Sequence, residues 1–218
     1  MSLRFLPALI VLPSLVSCTF LAQPKYEGSG ISAQAERTCD SFDSVKLVGS
    51  IDVVIQVGET QSIVINGDDN LIKRVVTEVS DGQLEVRLEN GNYTINTPLI
   101  VTVGLPELEA AEIVGSGDIE ISGLASEALS LSVLGSGDLS ATGHVDRLKA
   151  DVTGSGDMEL RELHAGSVDA EVTGSGDLTL SVENHLKAAV LGSGDIQYWG
   201  QPEEVDLDTT GSGDITGH

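Results

Sequence analysis

Six aspartates, Asp118, Asp138, Asp157, Asp177, Asp195 and Asp214, each close a Gly-Ser-Gly-Asp tetrapeptide, and the six copies are identical. Carboxylates repeated at a fixed interval can hold hard cations such as calcium, which takes carboxylate and carbonyl oxygens. Two glycines and a hydroxyl could cradle a phosphate, but no Lys follows as in a P-loop and the aspartate would repel the anion. The third option is architectural: a corner that the backbone must turn, with glycine supplying positive φ. The neighbouring Ser is a poor calcium ligand, and each interval carries a single Asp of the motif. Both features favour a structural ladder over a cation site.

The intervals are 20, 19, 20, 18 and 19 residues. A fixed period of this size without helix-forming residues predicts a β-solenoid, one coil per repeat. Alignment on the tetrapeptide makes columns. Two positions before it stand Ile113, Val133, Val152, Val172, Val190 and Thr209. Four before stand Ala111, Leu131, Ala150, Ala170, Ala188 and Leu207, and six before stand Glu109, Leu129, Leu148, Val168, Leu186 and Val205. Just after it stand Ile119, Leu139, Met158, Leu178, Ile196 and Ile215. This period of two assigns one parity to the interior and the other to solvent. If the chain stays extended through the motif, both glycines face inward and Ser and Asp face out. If the motif is a tight turn, glycine takes positive φ and Asp caps its own backbone.

Upstream, "FDSVKLVGSIDVVIQVG" alternates as a strand with Gly49 in its middle, and "QSIVING" and "PLIVTVGLP" read as further strands. "DDNLIKRVVTEVSDG" predicts a helical turn capped by Asp69 or Asn70, then a strand opening after Asp81-Gly82.

The formal charge of −23 and the pI near 4.1 exclude a nucleic-acid binder and docking on anionic lipid through a basic patch. Aromatics at 3% are too few for base- or sugar-stacking platforms. His144, His164, His185 and His218 are scattered in sequence and predict no zinc site. Residues 1–17 read as an export leader: Arg4, then an apolar stretch from Phe5 to Val16 too short to span a bilayer comfortably. Leu15-Val16-Ser17-Cys18 resembles the bacterial lipobox, which implies cleavage before Cys18, lipidation of Cys18 and anchoring by its acyl chains. Thr19, where an Asp would imply inner-membrane retention, favours the outer membrane, facing either the periplasm or the exterior. Removing residues 1–17 deletes Arg4 alone, so −23 becomes −24. Residues 18–38 read as the lipidated Cys and a flexible tether, and 39–218 as one domain, irregular over 39–110 and repetitive over 111–218. Cys39 is left without a partner and reads as a small core residue.

The stretches "FDSVKLVGSIDVVIQVGETQSIVINGDDNLIKRVVTEVSDGQLEVRL" and "PLIVTVGLPELEAAEIVGSGDIEISGL", followed by the Gly-Ser-Gly-Asp series, resemble the bacterial auto-transporter adhesin "head GIN domain" family of exported proteins. The resemblance covers Cys39 to His218. It implies an all-β fold, a right-handed parallel β-helix or flattened β-solenoid with a less regular N-terminal part, and it brings no catalytic residues.

The function that follows is a non-enzymatic, lipid-anchored envelope protein with an adhesive, interaction or structural role toward a protein or glycan partner, without a cofactor. One alternative is a carbohydrate-active enzyme on a β-helix. Its repeats hold only Arg147, Lys149, Arg161 and Lys187 as positive residues, and Arg147 and Lys187 have no evident partners in sequence. The other is a calcium-dependent structural module. Trp199, beside Tyr198, reads either as a contact residue or as a cap over the end of the solenoid. Open strand edges there permit association of copies.

Overall fold

The computed structural model describes residues 23–218. The leader and Cys18 lie outside the described residues. The strands are β1 (Lys25–Glu27), β2 (Ser32–Arg37), β3 (Ser44–Gly49), β4 (Asp52–Val57) and β5 (Ser62–Asp68). A 3-10 turn (Ile72–Arg74) leads to β6 (Val75–Ser80), β7 (Gln83–Leu88), β8 (Asn92–Thr94), β9 (Ile100–Leu105) and β10 (Ala110–Gly115). The repeats follow as β11 (Ile119–Gly135), β12 (Leu139–Gly154), β13 (Met158–Gly174), β14 (Leu178–Gly192), β15 (Ile196–Trp199), β16 (Glu204–Gly211) and β17 (Ile215–Gly217).

The expected β-solenoid is the fold: parallel coils stack in about five turns. From β10 to β17 every pairing is parallel and joins equivalent residues, so glycine lies on glycine from Gly115 through Gly135, Gly154, Gly174 and Gly192 to Gly211. The columns predicted to face inward do so. Leu131, Val133, Ala150, Val152, Val172 and Val190 are all buried, as are Ile119, Leu139, Met158, Leu178 and Ile196. Glu109 is exposed, and the neighbouring Leu108 is buried instead. The last coil departs from its columns. Val205 and Leu207 are each 43% exposed, because among the described residues β16 pairs with β14 alone.

The strand read across Gly49 is two strands. At φ +114 Gly49 turns a corner between β3 and β4, a conformation open to glycine and strained for other residues. Gly49 pairs with Gly115 and Val53 with Ile119, so Gly49-Ser50-Ile51-Asp52 is a seventh copy of the corner.

Antiparallel strands terminate the stack at the opposite end. β7 and β9 lie parallel below β3 and β4, and then β6 folds back on β7 while β5 and β2 fold onto β9. The β6–β7 turn is the expected Asp-Gly turn, with both residues at positive φ (52° and 80°) as a two-residue hairpin requires. Residues expected to be tether instead contain β1, paired with β8, and β2, paired with β5. Ala33 and Ala35 of β2 pack on the core, which compensates for ordering this stretch. The helical turn near Asp69 exists, but Leu71 occupies its cap and makes no side-chain cap hydrogen bond.

Candidate functional site

The Gly-Ser-Gly-Asp corner is the structural unit from which the acidic face is built. Its first glycine lies at φ between +128° and +143° in the six copies. A Cβ there would also strike the carbonyl of the first glycine in the coil before, as Gly135 would meet Gly115 O. The second glycine has no such φ and is excluded from carrying a side chain by space alone: a Cβ on Gly137 would meet Gly117 O. It faces inward, while the first glycine is half-buried at the bend in every copy but the last, where Gly211 is exposed. The extended reading therefore fails at the first glycine and holds at the second. Ile51 takes the place of the second glycine in the first corner, and Gly117 stacks directly on its carbonyl.

Each corner hydrogen-bonds back to its predecessor. The Ser and second-Gly N–H groups donate to the first-Gly carbonyl of the coil before, at 2.7–2.8 Å and 3.0–3.2 Å. The Asp N–H donates to the preceding Asp Oδ1: Asp138 to Asp118 and Asp157 to Asp138 at 2.9 Å, then Asp177, Asp195 and Asp214 each to the one before at 2.8 Å. Asp118 N donates to Asp52 Oδ1 at 3.2 Å, so the ladder has a seventh member that the sequence reading missed. The signal was present: Gly49-Ser50 and Asp52 match the motif at three of its four positions. The tight-turn reading assigned each Asp to its own backbone, whereas the carboxylate serves the next coil. The serine side chains face solvent.

Adjacent coils are ~4.8 Å apart, so neighbouring carboxylates repel by about 0.9 kcal/mol in water. A hydrogen bond to a charged acceptor contributes about 1.5–3 kcal/mol, with the low end fitting an exposed position. The bond outweighs the repulsion by little, and what the corner needs is an acceptor. Replacing Asp138 by asparagine is thus expected to leave stability within about 0.5 kcal/mol, and by alanine to lower it by about 1 kcal/mol, read from thermal melts. Calorimetric heat from calcium that disappears in Asp138→Asn would instead make the ladder a cation site. Among the described residues no group of three or more His, Cys, Asp or Glu is disposed to hold a metal ion. Pairing does set His144 opposite His164 on adjacent coils, bringing together two imidazoles that are distant in sequence.

Beside the ladder runs a groove of about 440 Å³ in which Asp52, Asp118, Asp138 and Asp157 are joined by Glu120 and Glu159. A second groove of about 860 Å³ lies at another bend of the coils, lined by Glu107, Glu109, Glu127, Arg147, Lys149 and Asp169 among others. It unites carboxylates with basic side chains, the combination a glycan-cleaving site needs. Its Lys149 bonds to Asp151, and that hydrogen bond raises the lysine pKa above its ordinary value, so the amine stays protonated and is no base near neutral pH. Lys187 is paired too, with Asp169 at 3.2 Å.

Trp199 is half-buried. Its ring stacks on His218 at 4.7 Å between centroids, and the Arg161 guanidinium lies 4.3 Å from its centre. Tyr198 packs on the core at the same end. Cys39 is half-buried; burial pushes its thiol pKa up, which suits a core residue and not a nucleophile.

Sequence reasoning passed over Asp68. It is 0% exposed, and its carboxylate accepts from Gly30 N (2.8 Å), Asn96 N (3.0 Å), Thr97 N (3.1 Å) and Thr97 Oγ1 (3.0 Å). The residues expected to cap a helix do the same work: Asn70 Oδ1 accepts from Ser29 N, and Asp69 Oδ1 from Ser29 Oγ. Together they fasten the segment before β2.

Solved structures share this fold along most of the chain. A putative adhesin from Bacteroides fragilis NCTC 9343 superposes with a TM-score of 0.72 at 22% identity, covering 88% of this chain and 100% of that one. A putative adhesin from Parabacteroides merdae ATCC 43184 gives 0.57 at 21%, covering 89% and 99%. A putative lipid binding protein from Parabacteroides distasonis ATCC 8503 gives 0.54 at 23%, again covering 89% and 99%. At such identities the likeness is one of fold. Among curated proteins no sequence matches. The family model described as "Putative auto-transporter adhesin, head GIN domain" matches residues 41–202, which takes in the first corner, β5 to β7 and all but the last Gly-Ser-Gly-Asp, and the chain belongs to that family.

Proposed function

We propose that this is a non-enzymatic, lipid-anchored protein of the bacterial envelope that presents its solenoid surface to a protein or glycan partner, as an adhesin or structural module. The observation that carries the reading is the stacked acidic face. Seven equivalent carboxylates in register, with Glu120 and Glu159 beside four of them, make an extended and repetitive surface. Repetition of this kind suits many weak contacts acting together. Family membership supports the adhesive role, and Cys18 with its lipobox-like leader supports the anchor and an outer-membrane address.

Two measurements separate anchor from role. Cells expressing the wild type should incorporate labelled palmitate into the protein, and Cys18→Ala should abolish the label; a label that persists overturns the anchor. Cells producing the protein should attach to protein- or polysaccharide-coated surfaces more than cells lacking it. Equal attachment on every coating overturns the adhesive role. The 860 Å³ groove favours a glycan-directed enzyme as the second reading, and release of reducing ends from a polysaccharide panel would establish it.

A further inference from the structure

We propose that the last coil, β16 with the Gly211–Asp214 corner, is a strand-docking site for a basic, extended polypeptide segment. In every lower coil the first-glycine carbonyl and the aspartate Oδ1 accept N–H groups from the coil above. Gly211 O and Asp214 Oδ1 are the same acceptors in the same geometry, and among the described residues neither receives a donor. Among the described residues β16 pairs only with β14 and β17 only with β15, so the main-chain groups on their other edges are also unpaired there. Val205 and Leu207, interior by column, stand 43% exposed beside that edge. The last coil therefore offers the seat on which each earlier coil receives the next.

Charge selects the occupant. From Ala188 to His218 there is no Lys or Arg, against six Asp or Glu. Glu204, Asp206 and Asp208 alternate with Val205 and Leu207 along β16, and all are exposed. A strand docked here would meet acidic side chains on one face and apolar ones on the other, which an alternation of basic and apolar residues complements. A second copy fits poorly, because antiparallel pairing of two β16 strands sets acidic residues across from acidic residues, and like charges directly opposite destabilise a strand pair.

The test uses the full chain in detergent and a fluorescent octapeptide alternating lysine and valine. Fluorescence anisotropy should show saturable binding that weakens as salt is raised. The triple variant Glu204→Lys, Asp206→Lys, Asp208→Lys should weaken it at least about tenfold. These side chains are exposed, and an unchanged melt would show that the fold survives. Glu120→Lys with Glu159→Lys, on the ladder groove, should leave affinity unchanged. A peptide with the same lysines and a central proline cannot pair as a strand and should bind at least about tenfold more weakly. Equal binding by the proline peptide would reduce the effect to charge alone and overturn the proposal. So would an affinity that the β16 triple variant leaves intact, or the absence of any binding. Light scattering that shows self-association, abolished by the same triple variant, would make the occupant a second copy and also overturn it.

Discussion

Gly135→Ala is expected to lower stability by about 3 kcal/mol or more, whereas Ser136→Ala beside it changes stability by less than about 0.5 kcal/mol. Gly135 sits at φ +136°, and its missing side chain points at the carbonyl of Gly115. Alanine meets two penalties: about 1–3 kcal/mol for backbone strain, and a similar amount for pushing apart coils held by hydrogen bonds of 2.8–3.2 Å. At about 2–4 °C per kcal/mol for a chain of this length, the melting temperature should drop by about 10 °C. Gly137→Ala should fall between the two variants, since space alone forbids the side chain there. Melting curves of the three test the assignment. A Gly135→Ala protein as stable as wild type would mean that the coils do not approach as closely as the corner geometry requires.

Asp68→Asn is expected to open the N-terminal end while leaving the repeats folded. The carboxylate satisfies four donors with two oxygens. An amide keeps one oxygen and turns an NH2 toward the other pair, so buried donors lose their acceptor. Residues 28–31 and 95–97 should become sensitive to limited proteolysis and exchange their amides faster, with β12–β14 unaffected. Burial alone would raise the Asp68 pKa, but hydrogen bonds from Asn96, Thr97 and Gly30 outweigh it and hold the value below that of a free aspartate. With the folded value depressed, the contribution to stability is complete above the unfolded value of about 3.9 and is lost as pH falls through the folded value. Wild-type protein should therefore loosen at this end below about pH 4, and Asp68→Asn should show no such change across that range. Hydrogen exchange at residues 28–31, measured on both proteins above and below pH 4, decides it. Parallel acid sensitivity in the two proteins would remove Asp68 as the cause.

The repeat was legible because one geometric problem recurs. Whenever a coil turns its corner it meets the same carbonyl at the same distance, so the same two glycines reappear, and the alternating columns follow from the pleat. Asp52 escaped because Ile51 breaks the tetrapeptide, and a four-residue match weights the second glycine as heavily as the aspartate. The antiparallel end was less legible for another reason. β1 and β2 are short and polar, and their pairing is decided by contacts with Asn92–Thr94 and Ile63–Asp68, far along the chain, which local pattern does not encode. Composition likewise said tether for a segment whose order depends on Asp68, a residue that looks in sequence like one more surface acid. Val205 and Leu207 satisfied the interior column and still lie exposed, because a column records which way a side chain points and not whether anything lies above it.

Every demand in the corner is directed backward. The glycines clear the carbonyl of the previous coil, the Ser and Gly N–H groups reach for that same carbonyl, and the Asp N–H reaches for the previous carboxylate. Toward its successor a coil offers acceptors and an apolar column, and it asks for no particular side chain there. A duplicated unit of about 19 residues would therefore find its seat already prepared and would leave the coils before it unchanged. Length is thus a free variable in this architecture, one that recombination within a gene can adjust a coil at a time without redesigning the protein.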